Sequence, residues 1–204
     1  MARLGMVIDL KRCIGCNACT LACKQENGTP EGIHYARVVT QEVGTYPQTK
    51  RTFLPTLCNH CTDAPCATAC PTGATYIRPD GIVMVDHKLC IGCRACNVAC
   101  PYMNRHFIEH GLLEHGYSSN GISPMEAIKF ADFDEGTNIK CTLCAHRVDQ
   151  GLEPACVVTC PTDARIFGDW EEEDGKLQRL VKERNGWALL PEYETKPNVY
   201  YLDA

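Results

Sequence analysis

No apolar run in this sequence is longer than a few residues, so no segment reads as a helix that spans a bilayer. No apolar stretch with a cleavage site follows the first methionine either. Met1-Ala2-Arg3-Leu4 leads straight into GMVIDLKRC, and the expectation is a chain without a signal peptide of its own. Basic tracts are missing too. Lys+Arg number 20 against Asp+Glu 25, for a formal net charge of −5, and nothing collects a row of phosphates as a nucleic-acid partner would require. Large rings are scarce, with 5 Phe and 2 Trp in 204 residues, so the core is not built mainly from them. G-x-G-x-x-G, a P-loop and a nucleophile elbow are all absent, which leaves no signature for a dinucleotide, a nucleotide triphosphate or an acyl-enzyme. The length suits one domain or two small ones.

What the chain has in excess is cysteine, with 16 residues. They fall into four groups of four with none left over: Cys13, Cys16, Cys19 and Cys23; Cys58, Cys61, Cys66 and Cys70; Cys90, Cys93, Cys96 and Cys100; Cys141, Cys144, Cys156 and Cys160. The last three groups each end in Cys-Pro, at Pro71, Pro101 and Pro161, whereas Lys24 follows Cys23. A disulfide scaffold needs export, and it seldom repeats C-x2-C so regularly. C-x2-C pairs also serve zinc, but C-x2-C-x2-C-x3-C-P is the run that holds iron–sulfur clusters. Three cysteines at intervals of three wrap one cluster, and the fourth points away to ligate the other cluster of a pair. Proline beside that fourth cysteine fixes φ and ends a short helix, so the backbone sets the direction of the thiolate. Four motifs therefore imply four [4Fe–4S] clusters in two pairs.

An internal repeat supports this. At an offset of 77 residues, MVIDLKRCIGCNACTLAC lies over VMVDHKLCIGCRACNVAC, matching Asp9 with Asp86 and Ile14-Gly15 with Ile91-Gly92. MVIDL and GIVMVD before the cysteine runs, and TGATYI and TDARIF after two of the prolines, read as short strands. The unit is strand, cysteine loop, short helix and strand. Gly15 and Gly92 occupy its tightest turns, where free φ and small bulk matter.

GMVIDLKRCIGCNACTLACKQEN, LPTLCNHCTDAPCATACPTGATY, DHKLCIGCRACNVACPY, KCTLCAHRVDQGLEPACVVTCPTDARIFGD and NVYYLDA together resemble the four-cluster electron-transfer subunit of the molybdopterin oxidoreductases related to dimethyl sulfoxide reductase. Within that family the sequence is most similar to the arsenate respiratory reductase and polysulfide reductase small subunits. The resemblance implies an α+β fold of tandem two-cluster ferredoxin-like modules, with short strands, short helices and long cluster-binding loops. Residues 1–50 with 136–190 would form an outer module and 51–102 an inner one. Residues 103–135 would be an insert at a partner contact, and 191–204 a C-terminal tail. It also implies four ligand sets: Cys13, Cys16, Cys19 with Cys160; Cys141, Cys144, Cys156 with Cys23; Cys58, Cys61, Cys66 with Cys100; and Cys90, Cys93, Cys96 with Cys70. The 11 residues AHRVDQGLEPA between Cys144 and Cys156 depart from the compact run and are expected as an exposed loop that faces a partner.

Function follows on the same terms. The chain is expected to be non-catalytic, and to relay single electrons between a quinol-oxidising membrane subunit or a cytochrome and a large subunit carrying a molybdenum or tungsten bis-pterin. The resemblance places it in the periplasm or on the outer face of the cytoplasmic membrane, exported with a partner that has a twin-arginine signal. Cytoplasmic residence is the alternative. A soluble polyferredoxin shuttle, or the small subunit of a formate dehydrogenase or hydrogenase, are the competing functions, though formate dehydrogenase versions carry a C-terminal anchoring helix and this chain ends in NVYYLDA. Lys11, Arg12, Lys24, Lys88, Arg94, Lys140 and Arg147 stand beside cysteines and are candidates for raising cluster potentials. His60 and His146 lie near cysteines and are expected to hydrogen-bond to a cluster or a partner rather than ligate. His106 and His110 are four apart and would share a face of a helix in the insert, with His115 following.

Overall fold

The computed structural model describes residues 2–118 and 121–203. Along the chain come β1 (Leu4–Asp9), α1 (Ala18–Asn27), β2 (Ala36–Thr45), β3 (Gln48–Leu57), α2 (Pro65–Thr68), β4 (Thr75–Ile77), β5 (Val83–Val85) and α3 (Ala95–Ala99). There follow β6 (His106–Phe107), α4 (Pro124–Phe130), β7 (Asn138–Ile139), α5 (Ala145–Val148), α6 (Ala155–Val158), β8 (Arg165–Asp169), α7 (Lys176–Glu183) and β9 (Val199–Leu202). Short elements joined by long cysteine loops are what the sequence leads one to expect. The strands form small sheets: β8-β1-β9, β2-β3, β4-β5 and β6-β7.

β1 organises the molecule because its two faces are both buried, and the period of two sends successive side chains to opposite sides. Met6 and Ile8 belong to the core that contains Cys19, Cys23, Cys58, Cys141 and Cys156. Val7 faces the other way, toward Ile166, Trp170, Leu177 and Leu202. Helix α7 closes that second core through Leu177, Leu180 and Val181, its charged positions turned to solvent. Burying a side chain of this size contributes about 1.5–3 kcal/mol, so β1 anchors the cysteine core and its outer cover at once.

Two expected boundaries shift, and one expected helix gives way to a strand. The stretch 191–204, read as a tail, supplies β9, which pairs in parallel with β1 and is buried at Val199, Tyr201 and Leu202. Only Tyr200 of its four residues is half-buried, so this edge of the sheet is enclosed by the rest of the chain. The border at residue 50 falls inside a continuous antiparallel hairpin, where Val43 opposes Lys50 and Glu42 opposes Arg51. In the insert, His106 lies on strand β6 opposite Ile139, so it shares no helix face with His110. The helix of the insert is α4 instead, started by a capping box in which Ser123 and Glu126 exchange hydrogen bonds. The insert folds back on its own chain: the Tyr117 hydroxyl donates to the carbonyls of Thr29 and Pro30, and Lys129 donates to the Glu26 carbonyl at 2.8 Å.

Asn198 ties β9 to the second cysteine loop. Fully buried, it donates from Nδ2 to the His60 carbonyl at 2.6 Å and accepts from Arg3 at 3.0 Å, and its backbone carbonyl accepts from Met6 and Trp170. Asn198→Ala leaves the His60 carbonyl without its donor and should cost about 1–3 kcal/mol, read as a lower midpoint of denaturant unfolding. An unchanged midpoint would contradict this role.

Candidate functional site

The repeat in the sequence is a repeat in backbone dihedrals. Gly15 and Gly92 both have φ +68°, and Asn17 and Arg94, two residues on, both have φ 59°. Helices α1 and α3 then start at Ala18 and Ala95, again 77 apart. Glycine is required at these turns twice over. Left-handed φ penalises a side chain, and a Cβ at Gly15 would strike the Phe53 ring, or at Gly92 the Gly136 carbonyl. A second correspondence runs at an offset of 90: α2 with α6, β4 with β8, Cys66 with Cys156 and Cys70 with Cys160.

The Cys-Pro turns aim backbone amides at sulfur. Thr75 N–H donates to Cys70 Sγ at 3.4 Å, and Ala164 N–H donates to Cys160 Sγ at 3.3 Å. Burial pushes the Cys70 thiol up, but hydrogen bonds from Thr75, Thr72 and Ala74 outweigh it and hold the thiol at about 7. Cys160 is lowered by the same balance. The first motif, without its proline, is built differently. Cys23 sits inside α1, which continues through Lys24 to Asn27 and ends at a left-handed Gly28. Proline at position 24 would break that helix. Lys24 instead ties down the following loop, donating to the carbonyls of Ile33 at 2.6 Å and Pro30 at 3.1 Å, with the Tyr117 ring 4.8 Å away. Burial lowers its pKa to about 8.

The sixteen thiols are all free, and at two places thiols of different motifs line one pocket. Cys13, Cys16, Cys19 and Cys160 line one pocket. Cys90, Cys93, Cys96 and Cys70 line another. The remaining two groups are buried except for half-buried Cys100. Burial raises the Cys23 thiol, and Cys156 and Cys144 add to the rise. Burial likewise takes the Cys61 thiol to about 12, offset by Thr195 and reinforced by Cys58, Cys66 and Cys100. Shared packing links neighbouring groups: Cys19, Cys23, Cys141, Cys156 and Cys58 lie in one buried cluster, and Cys61, Cys66 and Cys96 in another. Burial raises Cys156 to about 11 against Arg165, with Cys144 and Cys19 contributing. Burial raises Cys141, with Cys23 and Cys58 next in effect. Burial raises Cys96 against Arg105, with Cys66 and Cys90 contributing. The order in space is therefore the Cys13 group, the Cys141 group, the Cys58 group and the Cys90 group. Only the two ends carry exposed cysteines, Cys16 and Cys93.

Cations thread this row. Of those expected from the sequence, Lys140 is the one fully enclosed, and its Nζ donates to the Cys141 carbonyl at 2.6 Å. Arg94 binds Glu109 at 2.9 Å and covers the Phe107 ring, while Arg147 binds Glu26 at 3.2 Å. Arg12 meets Asp9 at 3.5 Å, and Lys11 and Lys88 are exposed. Two further cations do not adjoin a cysteine in sequence: Arg105 and Arg165, buried at 6% and 3% exposure. Their signal was spacing, since each stands five residues after a Cys-Pro cysteine.

The histidines are structural. His60 accepts the Val83 N–H at Nδ1 (3.1 Å), and its burial holds the ring well below the usual histidine pKa, hence neutral. His146 bonds Glu26 at 2.8 Å. The segment between Cys144 and Cys156, expected as a loop, contains the helical turn α5 and is clipped down by Arg147 to Glu26 and Asp149 to Arg78.

The residues present fit an iron–sulfur group. In the two end groups the thiols surround a space rather than converge on one point, which suits several metal atoms better than a single zinc ion. Buried donors lack an acceptor beside them: Asn59 Nδ2, Arg105 Nε and Nη2, and Arg165 Nη2. An anionic sulfur-rich group supplies what such donors need. Residues 49–114 with 118–170, and separately residues 12–74, match a family described as "4Fe-4S dicluster domain".

The chain belongs to that family. It is 44% identical to a protein of Halobacterium salinarum named as a dimethyl sulfoxide reductase iron-sulfur subunit, across 100% of this chain and 80% of that protein. It is 41% identical to the arsenate respiratory reductase iron-sulfur subunit of a Shewanella species, across 98% of this chain and 96% of that one. It is 37% identical to a sulfite dehydrogenase subunit of Allochromatium vinosum, across 99% and 83%. It is thus homologous to the iron–sulfur subunits of dimethyl sulfoxide reductase-type oxidoreductases: a non-catalytic electron-transfer subunit with tandem ferredoxin-like modules. Among the described residues no helix is long and apolar enough to cross a membrane.

Left-handed strain of about 1–2 kcal/mol plus the collision with Gly136 makes Gly92→Ala a specific test of the loop. The purified variant should carry less iron and acid-labile sulfide than wild type, and an equal content would refute the close-approach argument.

Proposed function

We propose that this chain relays single electrons through four [4Fe–4S] clusters between a quinol-oxidising membrane subunit or cytochrome and a molybdopterin subunit of a respiratory reductase. The observation that carries this reading is the row of thiol groups with two buried groups inside and one exposed cysteine at each end. When bound, the clusters supply one-electron redox chemistry. The chain's part is to hold them in line and set their potentials.

The proposed ligand sets are Cys13, Cys16, Cys19 with Cys160; Cys141, Cys144, Cys156 with Cys23; Cys58, Cys61, Cys66 with Cys100; and Cys90, Cys93, Cys96 with Cys70. The pocket shared by Cys160 with Cys13, Cys16 and Cys19, and that shared by Cys70 with Cys90, Cys93 and Cys96, support the crossing of the fourth cysteine into its neighbour's group. Both ends are equipped for docking in the same way. Ile14 and Leu21 are exposed around Cys16, and Ile91 and Val98 (90% exposed) around Cys93, at the repeat's offset of 77. Apolar side chains left in water around a redox end favour a protein partner at each. A chain with two such ends suits a position between two partners better than a free shuttle does.

For the complex as a whole we favour arsenate as substrate. The support is the end-to-end match with the arsenate respiratory reductase relative, whose length this chain nearly equals. The large partner would carry molybdenum or tungsten on a bis-pterin and would take the pair to the outer face of the cytoplasmic membrane. Purification from the native source should yield a complex with a large molybdenum or tungsten protein that reduces arsenate faster than dimethyl sulfoxide or tetrathionate. A chain purified alone, or a complex inert to arsenate, would overturn the respective part.

The crossing has its own test. Cys23→Ser should abolish the electron paramagnetic resonance signal of the cluster held by Cys141, Cys144 and Cys156 while that of the Cys13 set persists. Loss of the Cys13 signal alone would contradict the ligand sets.

A further inference from the structure

Three buried cations alternate with the four thiol groups. Arg165 lies between the first two: its Nη1 is 3.9 Å from Cys156 Sγ, and Cys19 is among the sulfurs that act on it. Lys140 is assigned to the second junction: its Nζ donates to the Cys141 carbonyl at 2.6 Å, and His60, within the Cys58–Cys61 turn, is among the groups that its charge acts on. Arg105 lies between the third and fourth, held by a hydrogen bond to Thr75 at 3.1 Å, with Cys66, Cys96 and Cys58 around it. Among the described residues, none of the three makes an ion pair with a carboxylate. All are nearly inaccessible to water, at 3%, 2% and 6% exposure.

A buried cation without a counter-charge is among the most costly arrangements in a protein. Three such cations, one at each junction, make sense only against the negative charge of the thiolate groups on either side. A cation that costs energy alone and is balanced by sulfur stabilises whichever state of its neighbours is more negative. That state is the reduced one, since uptake of an electron raises a group's net negative charge by one. The arrangement also follows the chain's construction. Arg105 and Arg165 each stand five residues past a Cys-Pro cysteine, whereas Thr75 holds the equivalent place after Cys70 and Gly28 after Cys23. Each half of the molecule thus carries one internal arginine, and Lys140 sits where the halves meet.

We propose that Arg165, Lys140 and Arg105 are shared counter-charges, each placed between two neighbouring thiol groups and raising the reduction potential of both. They are positioning residues that act through the sulfurs. A surface charge would be screened by water and salt, but these are inside, where screening is weak. This inference rests on the electron-relay reading.

The test is a redox titration followed by electron paramagnetic resonance on the cluster-loaded complex carrying Arg165→Gln, Lys140→Gln or Arg105→Gln. Each neutral variant should lower the potentials of two couples only, shifting their reduction equilibria at least tenfold, which is about 59 mV for a one-electron couple. The pairs affected by Arg165→Gln and Arg105→Gln should have no member in common, and Lys140→Gln should share one couple with each. Arg165→Lys, Lys140→Arg and Arg105→Lys should stay close to wild type.

Unchanged potentials in the neutral variants would overturn the inference. So would a uniform shift of all four couples, or equal shifts in the charge-retaining variants. If a neutral variant loses a cluster, its charge-retaining counterpart decides. Full cluster content with near-native potentials supports the counter-charge role, and loss there too refutes it. Iron and acid-labile sulfide in the wild-type complex separate the two levels: a shortfall from four clusters would sink the relay reading itself, whatever the variants do.

Discussion

Everything in this fold depends on keeping a row of sulfur anions inside a protein of ordinary size. Burial pushes most of the interior thiols up, Cys61 to about 12 and Cys156 to about 11, so the protein interior alone opposes the charged form that a metal needs. What favours the charged form is local and directional. Amide N–H groups of the Cys-Pro turns point at Cys70 and Cys160, glycine at positions 15 and 92 lets backbone come close, and enclosed cations stand between the groups. The apolar core, with β1 at its centre, serves to hold these polar features in place.

Much of this was legible in the sequence, because the ligand motif is local. The spacing of cysteines dictates the loop, and the 77-residue repeat reappears as equal dihedrals at Gly15 and Gly92 and at Asn17 and Arg94. Short strands before and after the cysteine runs appear as β1, β5, β4 and β8. Lysine in place of proline after Cys23 proved informative about architecture: it extends α1 by a turn past the cysteine and fastens the next loop through Ile33 and Pro30.

What was not legible depends on contacts distant in sequence. β9 is four residues long, and pairing with β1, nearly two hundred residues away, together with a bridge to Trp187, makes it a strand rather than a tail. The spatial order of the thiol groups depends on how the two halves meet at Cys141 and Cys58, which no motif encodes. Arg105 and Arg165 do not adjoin a cysteine in sequence, so proximity along the chain does not point to them. A turn and a strand carry them back to the sulfurs from five residues away. In the insert, His106 follows a pairing with Ile139 rather than a helical period.

If this chain holds four iron–sulfur groups in one line, each spanning two motifs, the iron must follow that line. Anomalous scattering at the iron edge, from crystals of anaerobically purified protein, tests it most directly. Four iron sites in a row are expected, in the order of the Cys13, Cys141, Cys58 and Cys90 groups, each touching three cysteines of one motif and one of another. Iron confined within single motifs, or isolated metal atoms in place of clusters, would contradict it.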